Sequence, residues 1–257
     1  MWGGSLADQC TGNNFYGCSR TSGAGGNILN PIQSSKITTQ ESFSFKYGRV
    51  EVRAKLPQGD WLWPAIWLLP RRNSYGQWPA SGEIDIMESR GNANYPQSSG
   101  GGVESFGSTL HWGPEYSVNR YLLTHEDYHH TAKLSDEFHT YGLYWSEDRL
   151  YTYFDDPSNI ILDIDTKSKS FWERGAFPNY FNNPWEGRIN APFDQEYYII
   201  INLAVGGTAG YFADGVAGKP WSDKSSSSVN QFYDAKAQWW PTWTKPFVID
   251  SVKVWSL

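Results

Sequence analysis

Residues 82–88 read Gly82-Glu83-Ile84-Asp85-Ile86-Met87-Glu88, and this stretch decides the fold. Three carboxylates alternate with apolar side chains, which is the pattern of a β-strand with one acidic face. Glu83 and Asp85 share that face, whereas strict alternation sends Glu88 inward with the isoleucines. Because an unpaired carboxylate in a core is costly, the sequence predicts a β-bulge near Met87 that returns Glu88 to the acidic face.

Carboxylates gathered on one surface repel each other and destabilise the folded protein. Binding partners or a function must offset that loss of stability. Glycosidic bond cleavage uses such a pair, one as nucleophile and the other as general acid and then base. A bond-retaining pair lies about 5–5.5 Å apart, so this strand must bend and its two Glu side chains must lean together. On this pattern alone, a solvated acidic edge or a calcium-binding strand is an equal alternative.

The composition fits one large domain, residues 1–257, with a neutral ligand. With 14 Trp, 16 Tyr and 13 Phe, the chain has more aromatic residues than a core needs, which predicts a partner with flat apolar faces such as a sugar. A net charge of −6 argues against nucleic acid and anionic membranes. The longest apolar run, Tyr197 to Val205, is shorter than the roughly 20 residues of a membrane span. Nothing demands more than a monomer.

Two cysteines, Cys10 and Cys18, flank a Gly- and Asn-rich loop near the start of the chain. Their spacing matches neither the Cys-x-x-Cys redox motif nor a zinc quartet. We therefore predict a disulfide in preference to two free thiols, and with it an oxidising, secreted setting.

Alternating segments predict the remaining sheet strands. Arg49 to Leu56 alternates polar and apolar residues, as a half-buried antiparallel strand does. Tyr197 to Val205 is the strongest strand, and Gly107 to Trp112 is read as the strand that follows the acidic one. Paired with it in a hairpin, this strand would bring His111 beside Glu88. No helical period is long enough to predict a helix of consequence.

Tryptophans surround the acidic strand in the sequence. Trp61 and Trp63 lie near a loop end and are candidate sugar platforms, while Trp67 fits a core position and a platform equally well. Trp78 enters the acidic strand and is placed to stack on a sugar. Asn202 is the strongly polar side chain inside the Tyr197 to Val205 strand, so it must be hydrogen-bonded or face a ligand.

Taken together, these motifs resemble a family 16 glycoside hydrolase of the laminarinase type. The early cysteine loop and the Trp-rich segment before Pro192-Phe193-Asp194 resemble the invertebrate branch, which also contains non-catalytic β-1,3-glucan recognition proteins. The resemblance covers most of the chain and rests on four segments in order: Tyr47-Gly48-Arg49-Val50-Glu51-Val52-Arg53-Ala54-Lys55-Leu56-Pro57, Leu62-Trp63-Pro64-Ala65-Ile66-Trp67-Leu68-Leu69-Pro70, Trp78-Pro79-Ala80-Ser81-Gly82-Glu83-Ile84-Asp85-Ile86-Met87-Glu88, and Asn202-Leu203-Ala204-Val205-Gly206-Gly207.

The resemblance implies an all-β jelly-roll sandwich of two curved antiparallel sheets with a concave substrate cleft. It further implies a retaining endo-β-1,3-glucanase acting on a neutral β-glucan polysaccharide, with no cofactor in the chemistry. In that scheme Glu83 is the nucleophile, Glu88 is the acid/base, and Asp85 tunes the nucleophile. All three positions are filled, which favours an enzyme over a recognition module.

The resemblance also assigns cleft residues and a structural ion. Asp250, in the last strand, matches a ligand of a calcium ion on the convex side. A non-catalytic β-1,3-glucan recognition module and an enzyme for mixed β-1,3-1,4-glucan remain the alternatives. The residues expected to line the cleft are Asn30, Arg53, Trp61, Trp63, Trp78, His111, Trp112 and Asn202.

Overall fold

The computed structural model describes residues 29–257, so the disulfide predicted between Cys10 and Cys18 lies outside the described residues and stays a prediction. The described chain forms eleven β-strands and three short α-helices. The strands are β1 (Lys36–Thr38), β2 (Gly48–Lys55), β3 (Leu62–Pro70), β4 (Glu83–Ser89), β5 (Ser105–His111), β6 (His125–His129), β7 (His139–Trp145), β8 (Arg149–Phe154), β9 (Ile160–Asp165), β10 (Tyr197–Val205) and β11 (Val248–Trp255); the helices are α1 (Phe171–Gly175), α2 (Ser228–Asp234) and α3 (Lys236–Trp239).

The strands build two antiparallel sheets, which confirms the predicted all-β sandwich. One sheet has six strands in the order β1-β10-β3-β4-β5-β6, and the other has five in the order β11-β2-β7-β8-β9. The acidic strand β4 is central in the first sheet, between β3 and β5. The segment Arg49 to Leu56 became β2 in the second sheet, on the other side of the core.

Alternation along the strands fills the space between the sheets. In β2 the apolar residues Val50, Val52 and Ala54 are fully buried, whereas the intervening polar residues face outward. They pack in one cluster with Ile84 of β4 and Leu143 of β7. The polar rows of both sheets therefore lie on outer faces, and the carboxylates of β4 belong to one of those rows.

The predicted bulge is present in β4. Pairing with β5 joins Asp85 to Thr109 and Glu88 to Gly107, so the register shifts between Asp85 and Glu88. Ile86 and Met87 are both buried in the core, 1% and 0% exposed, although they are adjacent in the chain. Two consecutive residues of β4 therefore face the core at the bulge, and Glu88 returns to the outer face.

A second apolar cluster forms around Trp61, Phe212, Trp221, Phe232 and Trp239. It contains the helices α2 and α3, which the sequence reasoning missed because both are shorter than the window in which a helical period can be read. Over residues 29–257, none of the helices has the length and apolar character needed to cross a bilayer.

The turn that leads into β4 is held at several points. Tyr197 donates a hydrogen bond from its hydroxyl to the carbonyl of Ser81 (2.8 Å), and the indole N–H of Trp185 donates to the carbonyl of Ala80 (2.8 Å). Gly82 adopts φ +82°, and a Cβ atom there would lie 2.3 Å from the hydroxyl oxygen of Tyr197. Gly82 is therefore required both for its backbone conformation and for space.

We expect Gly82→Ala to destabilise the protein by about 3 kcal/mol, because it combines a left-handed backbone penalty with overpacking against Tyr197. Gly187→Ala is the matched control: Gly187 has φ +74° but no atom within 4 Å of the added Cβ. That variant should lose only about 1 kcal/mol. Denaturant unfolding of both variants measures the difference, and equal losses would contradict the steric argument at Gly82.

Candidate active site

The bulge gathers Glu83, Asp85 and Glu88 on the outer face of the six-stranded sheet. One carboxylate oxygen of Glu83, one of Asp85 and one ring nitrogen of His111 all lie within 4.8 Å of one another. Asp85 is the most buried of the three at 2% exposure, and its Oδ2 is buried without a hydrogen-bond partner among the described residues. Three acids thus share a site from which water is largely removed.

Two tryptophans donate hydrogen bonds to the two glutamates. The indole N–H of Trp78 donates to Glu83 Oε2 (2.9 Å), and that of Trp63 donates to Glu88 Oε1 (2.9 Å). Each bond favours the charged form of the carboxylate that accepts it. The two tryptophans therefore act on Glu83 and Glu88 separately, although the carboxylates lie on the same strand.

His111 presents an N–H to the acids even when its ring is neutral. The side-chain oxygen of Asn119 accepts from the backbone N–H groups of Trp112 (3.3 Å) and Tyr121 (3.2 Å), which turns the amide nitrogen of Asn119 toward His111 Nδ1 (2.8 Å). Nδ1 is then the acceptor, so the ring proton sits on Nε2. Nε2 is 3.3 Å from Asp85 Oδ2 and 3.8 Å from Glu83 Oε1.

Burial raises the pKa of all three carboxyl groups. The pKa of Glu83 rises well above its usual value, first through burial and then through repulsion from Asp85, while His111 and the Trp78 hydrogen bond act against that rise. Burial and the charge of Glu88 likewise hold the pKa of Asp85 well above its ordinary range. Burial raises the pKa of Glu88, against the opposing effects of His111, Trp63 and Arg90. The cluster therefore holds a proton at a higher pH than isolated carboxyls do.

A cavity of about 520 Å³ opens beside Glu83. Trp67, for which the sequence left core and platform equally open, lines this cavity and is partly buried. The remaining lining combines amides, one cation and aromatic rings, as polar ligands with apolar faces require: it includes Gln40, Arg71, Asn73, Gln77, Trp78 and Tyr198.

Residues 20–182 match the profile of glycosyl hydrolases family 16. The chain belongs to this family. The beta-1,3-glucan-binding protein of Penaeus monodon is 45% identical over 269 residues, which cover 100% of this chain and 72% of that protein. Glucan endo-1,3-beta-glucosidase A1 of Niallia circulans is 42% identical over 176 residues, 68% of this chain and 22% of that protein.

Solved structures of the same family share the fold. A glycoside hydrolase family 16 endo-glucanase from Bacteroides ovatus superposes with a TM-score of 0.55 at 25% identity, covering 86% of this chain and 74% of that one. The jelly-roll prediction for this family 16 domain is thereby confirmed. The two sequence relatives differ in what their names describe, glucan binding in one and glucan cleavage in the other.

His111 lies in the site, but not where the hairpin argument put it. It pairs with Glu83 across the β4–β5 register, whereas Gly107 lies opposite Glu88. The prediction that His111 lies beside Glu88 was wrong because the two strands are antiparallel: the start of β5 faces the end of β4, so His111, at the end of β5, faces Glu83 at the start of β4.

Three residues expected in the cleft of this family 16 domain are elsewhere. Trp61 is 0% exposed within the second apolar cluster, and Trp112 is 0% exposed in the core, where its ring packs on Phe171. Arg53 lies on β2 in the opposite sheet, with its guanidinium 3.2 Å from Asp250 and over the ring of Phe138. These three cleft assignments were wrong.

The two asparagines are placed differently from each other. Asn202 Oδ1 accepts the indole N–H of Trp67 (2.7 Å), and Asn202 shares a row of the sheet with Ala65 and Glu88. Asn30 lines a second cavity of about 390 Å³ at the far end of β10, together with Gly207 and Trp221. Trp63 and Trp78 contact the glutamates directly, so of the predicted cleft residues these two and His111 come closest to the acids.

Sequence reasoning missed Asn119, Tyr121, Arg90 and Tyr211. Asn119 and Tyr121 orient His111, the latter by stacking at a ring-centroid distance of 5.2 Å. Arg90 follows β4 directly, and its position two residues after Glu88 was the available signal. Tyr211 reaches the site from a segment far along the chain and carried no sequence signal.

We expect Asp85→Asn to stabilise the folded protein at neutral pH. The pKa of Asp85 is higher in the folded than in the unfolded state. Above the pKa of about 4 that Asp has in the unfolded chain, ionisation of this group therefore favours unfolding. The variant should raise Tm by at least about 2 °C at pH 7, with the gain shrinking toward pH 4. Thermal scans across pH measure this, and a gain that grew on acidification would contradict the assigned direction.

Proposed function

We propose that the chain is a retaining endo-hydrolase of internal β-1,3-glucosidic bonds in laminarin-like β-glucans. The observation that carries this proposal is the bulged strand that presents Glu83, Asp85 and Glu88 together, with a separate indole donor on each glutamate. A scaffold strand has no reason to tolerate one buried and two half-buried acids side by side, because their removal from water opposes folding at neutral pH. Bond cleavage explains why the protein retains these acids despite the loss of stability.

The two glutamates take complementary roles in this scheme. Glu83, as carboxylate, attacks the anomeric carbon while Glu88 donates its proton to the departing glycosidic oxygen, so one C–O bond forms as another breaks. Loss of the Glu83 charge then lets Glu88 accept a proton from water, which hydrolyses the glycosyl-enzyme ester. Trp78 and His111 hold Glu83 in place throughout, while burial and the charge of Asp85 raise the pKa of Glu83.

The surroundings of the acids suit a neutral sugar. The cavity beside Glu83 offers Trp67 and Trp78 for stacking on pyranose faces, and amides and one Arg for hydroxyl groups. β-1,3-glucan is the polymer named for both the Penaeus monodon and Niallia circulans relatives. These points support a β-1,3-glucan as the substrate.

A non-catalytic glucan-recognition module is the second candidate. It is favoured by the identity to the Penaeus monodon protein, which is named for binding. An enzyme preferring mixed β-1,3-1,4-glucan is a third. The retained acids favour cleavage over recognition, because a binding surface for a neutral polymer gains nothing from three carboxylates of raised pKa.

The calcium ion, secretion and monomeric state stay predictions. Asp250 lies on β11, and its carboxylate is paired with Arg53. Among residues 29–257, no group of three acidic or histidine side chains forms around Asp250. A calcium ion there would have to displace Arg53 and draw its other ligands from the main chain.

Glu83→Gln should abolish turnover of laminarin, by at least about a thousandfold in kcat, because the amide cannot form the ester intermediate. Reducing ends released from laminarin measure the loss, with lichenan run in parallel to test linkage preference. Glucan binding should persist in the variant, since the cavity is unchanged. Glu186→Gln, an exposed carboxylate elsewhere, is the matched control and should retain full turnover.

The outcomes separate the candidates. A wild-type protein that binds laminarin without releasing reducing ends would establish the recognition module instead. Faster cleavage of lichenan than of laminarin would establish the mixed-linkage enzyme. Turnover that survived Glu83→Gln would remove Glu83 from its assigned role.

Trp78→Phe should move the acidic limb of the pH–rate profile to higher pH. The Trp78 hydrogen bond lowers the pKa of Glu83, so its loss raises that pKa. The nucleophile is then ionised only at higher pH. Phe keeps the aromatic face, so the variant isolates the N–H. The profile of kcat/KM measures the limb, and an unchanged acidic limb would contradict the assignment.

A further inference from the structure

Trp63, the donor to Glu88, is covered on one face by Tyr211. Their rings are parallel within 4°, with centroids 3.8 Å apart. Such a tight parallel stack fixes the plane of the indole, and the plane of the indole fixes the direction of its N–H. The N–H reaches Glu88 Oε1 at 2.9 Å. The orientation of this hydrogen bond therefore depends on Tyr211.

Arg90 holds Tyr211 from its other side. The guanidinium lies 3.9 Å from the centroid of the Tyr211 ring, and its Nε and Nη2 donate to the main-chain carbonyl of Tyr211 at 3.1 and 2.8 Å. The three side chains thus form a layered stack in the order Arg90, Tyr211, Trp63. Arg90 is two residues after Glu88, and Trp63 of β3 donates to Glu88, so the stack starts just after β4 and its last member returns to β4 through that hydrogen bond.

The second apolar cluster anchors this stack. Phe212, next in the chain, is 1% exposed and packs edge-on against Trp61 with centroids 5.4 Å apart. The backbone N–H of Ala213 donates to the hydroxyl of Tyr95 (2.9 Å). Tyr211 is therefore placed by rigid neighbours, and it lies outside residues 20–182, which match the family profile.

We propose that Tyr211 is a positioning residue for Glu88: its ring, clamped by Arg90, holds the Trp63 indole in the plane from which it donates to the carboxyl group. This inference rests on the proposed role of Glu88 as the acid/base. The hydroxyl of Tyr211 takes no part, because it is buried and has no hydrogen-bond partner in the described part of the chain. The ring alone carries the function.

Several charged or titratable groups face Glu88 from the surrounding elements. They are Glu83 and Asp85 of β4, Arg90 after it, His111 of β5, and His125 of β6. Tyr211→Leu leaves all five groups unchanged and keeps an apolar side chain at this position. It removes the support of Trp63 and loosens Arg90, and both changes weaken the charged form of Glu88.

The test compares Tyr211→Leu, Tyr211→Phe and Tyr151→Leu with the wild type. Tyr151 stacks on Tyr144 on the outer face of the other sheet, at 4.9 Å and 16°, so it is a matched stacked tyrosine remote from Glu88. The first readout is the titration of Glu88 in the free protein by carboxyl ¹³C NMR, assigned by its loss in Glu88→Gln. The second is kcat/KM on laminarin against pH.

We expect Tyr211→Leu to raise the pKa of Glu88, to move the alkaline limb to higher pH, and to lower kcat/KM about tenfold, the equivalent of one charge-assisted hydrogen bond. Tyr211→Phe and Tyr151→Leu should match the wild type in both readouts. An unmoved Glu88 titration in folded Tyr211→Leu would overturn the proposal, as would a Tyr211→Phe variant that behaves like Tyr211→Leu. The NMR readout requires no turnover, so absence of glucanase activity would refute the proposed function without deciding this one.

Discussion

Gathering three carboxyl groups on one face of one strand, one of them buried and two half-buried, is the constraint on which the rest of this structure depends. Without the bulge, Glu88 would enter the core on the same side of the strand as Ile84 and Ile86. With it, the acids share one outer face, and their mutual repulsion must be met locally. Trp63, Trp78 and His111 meet it with N–H donors or positive charge, each placed by a neighbouring strand or loop.

Features that depend on a single strand follow from the two-residue period of its side chains. Alternation in residues 82–88 gave the acidic face, and the parity of Glu88 gave the bulge, because both depend only on the two-residue period of a strand. Alternation in Arg49 to Leu56 likewise gave β2. It could not say which sheet β2 joins, and Arg53 was misplaced for that reason: its polar face belongs to the five-stranded sheet.

The positions of the tryptophan side chains could not be predicted from the sequence alone. Trp61, Trp63 and Trp67 lie within seven residues, yet Trp61 is buried inside an apolar cluster, while Trp63 donates to Glu88 and Trp67 lines the cavity beside Glu83. Trp63 and Trp67 share the outer face of β3 through their parity, whereas Trp61 precedes the strand with φ +67° and turns away. That turn is set by packing against Phe212 and Trp221, partners remote in sequence.

The two indoles that donate to the glutamates, those of Trp78 and Trp63, differ in whether their ring faces remain open to a substrate. At Trp78 the rings of His111 and Tyr116 are tilted by 42° and 44° to the indole at centroid distances of 5.5 and 5.6 Å, so neither is a parallel stack. Donation through the N–H edge to Glu83 is therefore compatible with stacking on a sugar. Trp63 is different, because Tyr211 occupies one of its faces. Aromatic contacts with substrate should therefore concentrate on the Glu83 side, where Trp67 and Trp78 line the larger cavity. On the Glu88 side the aromatic rings serve the acid itself.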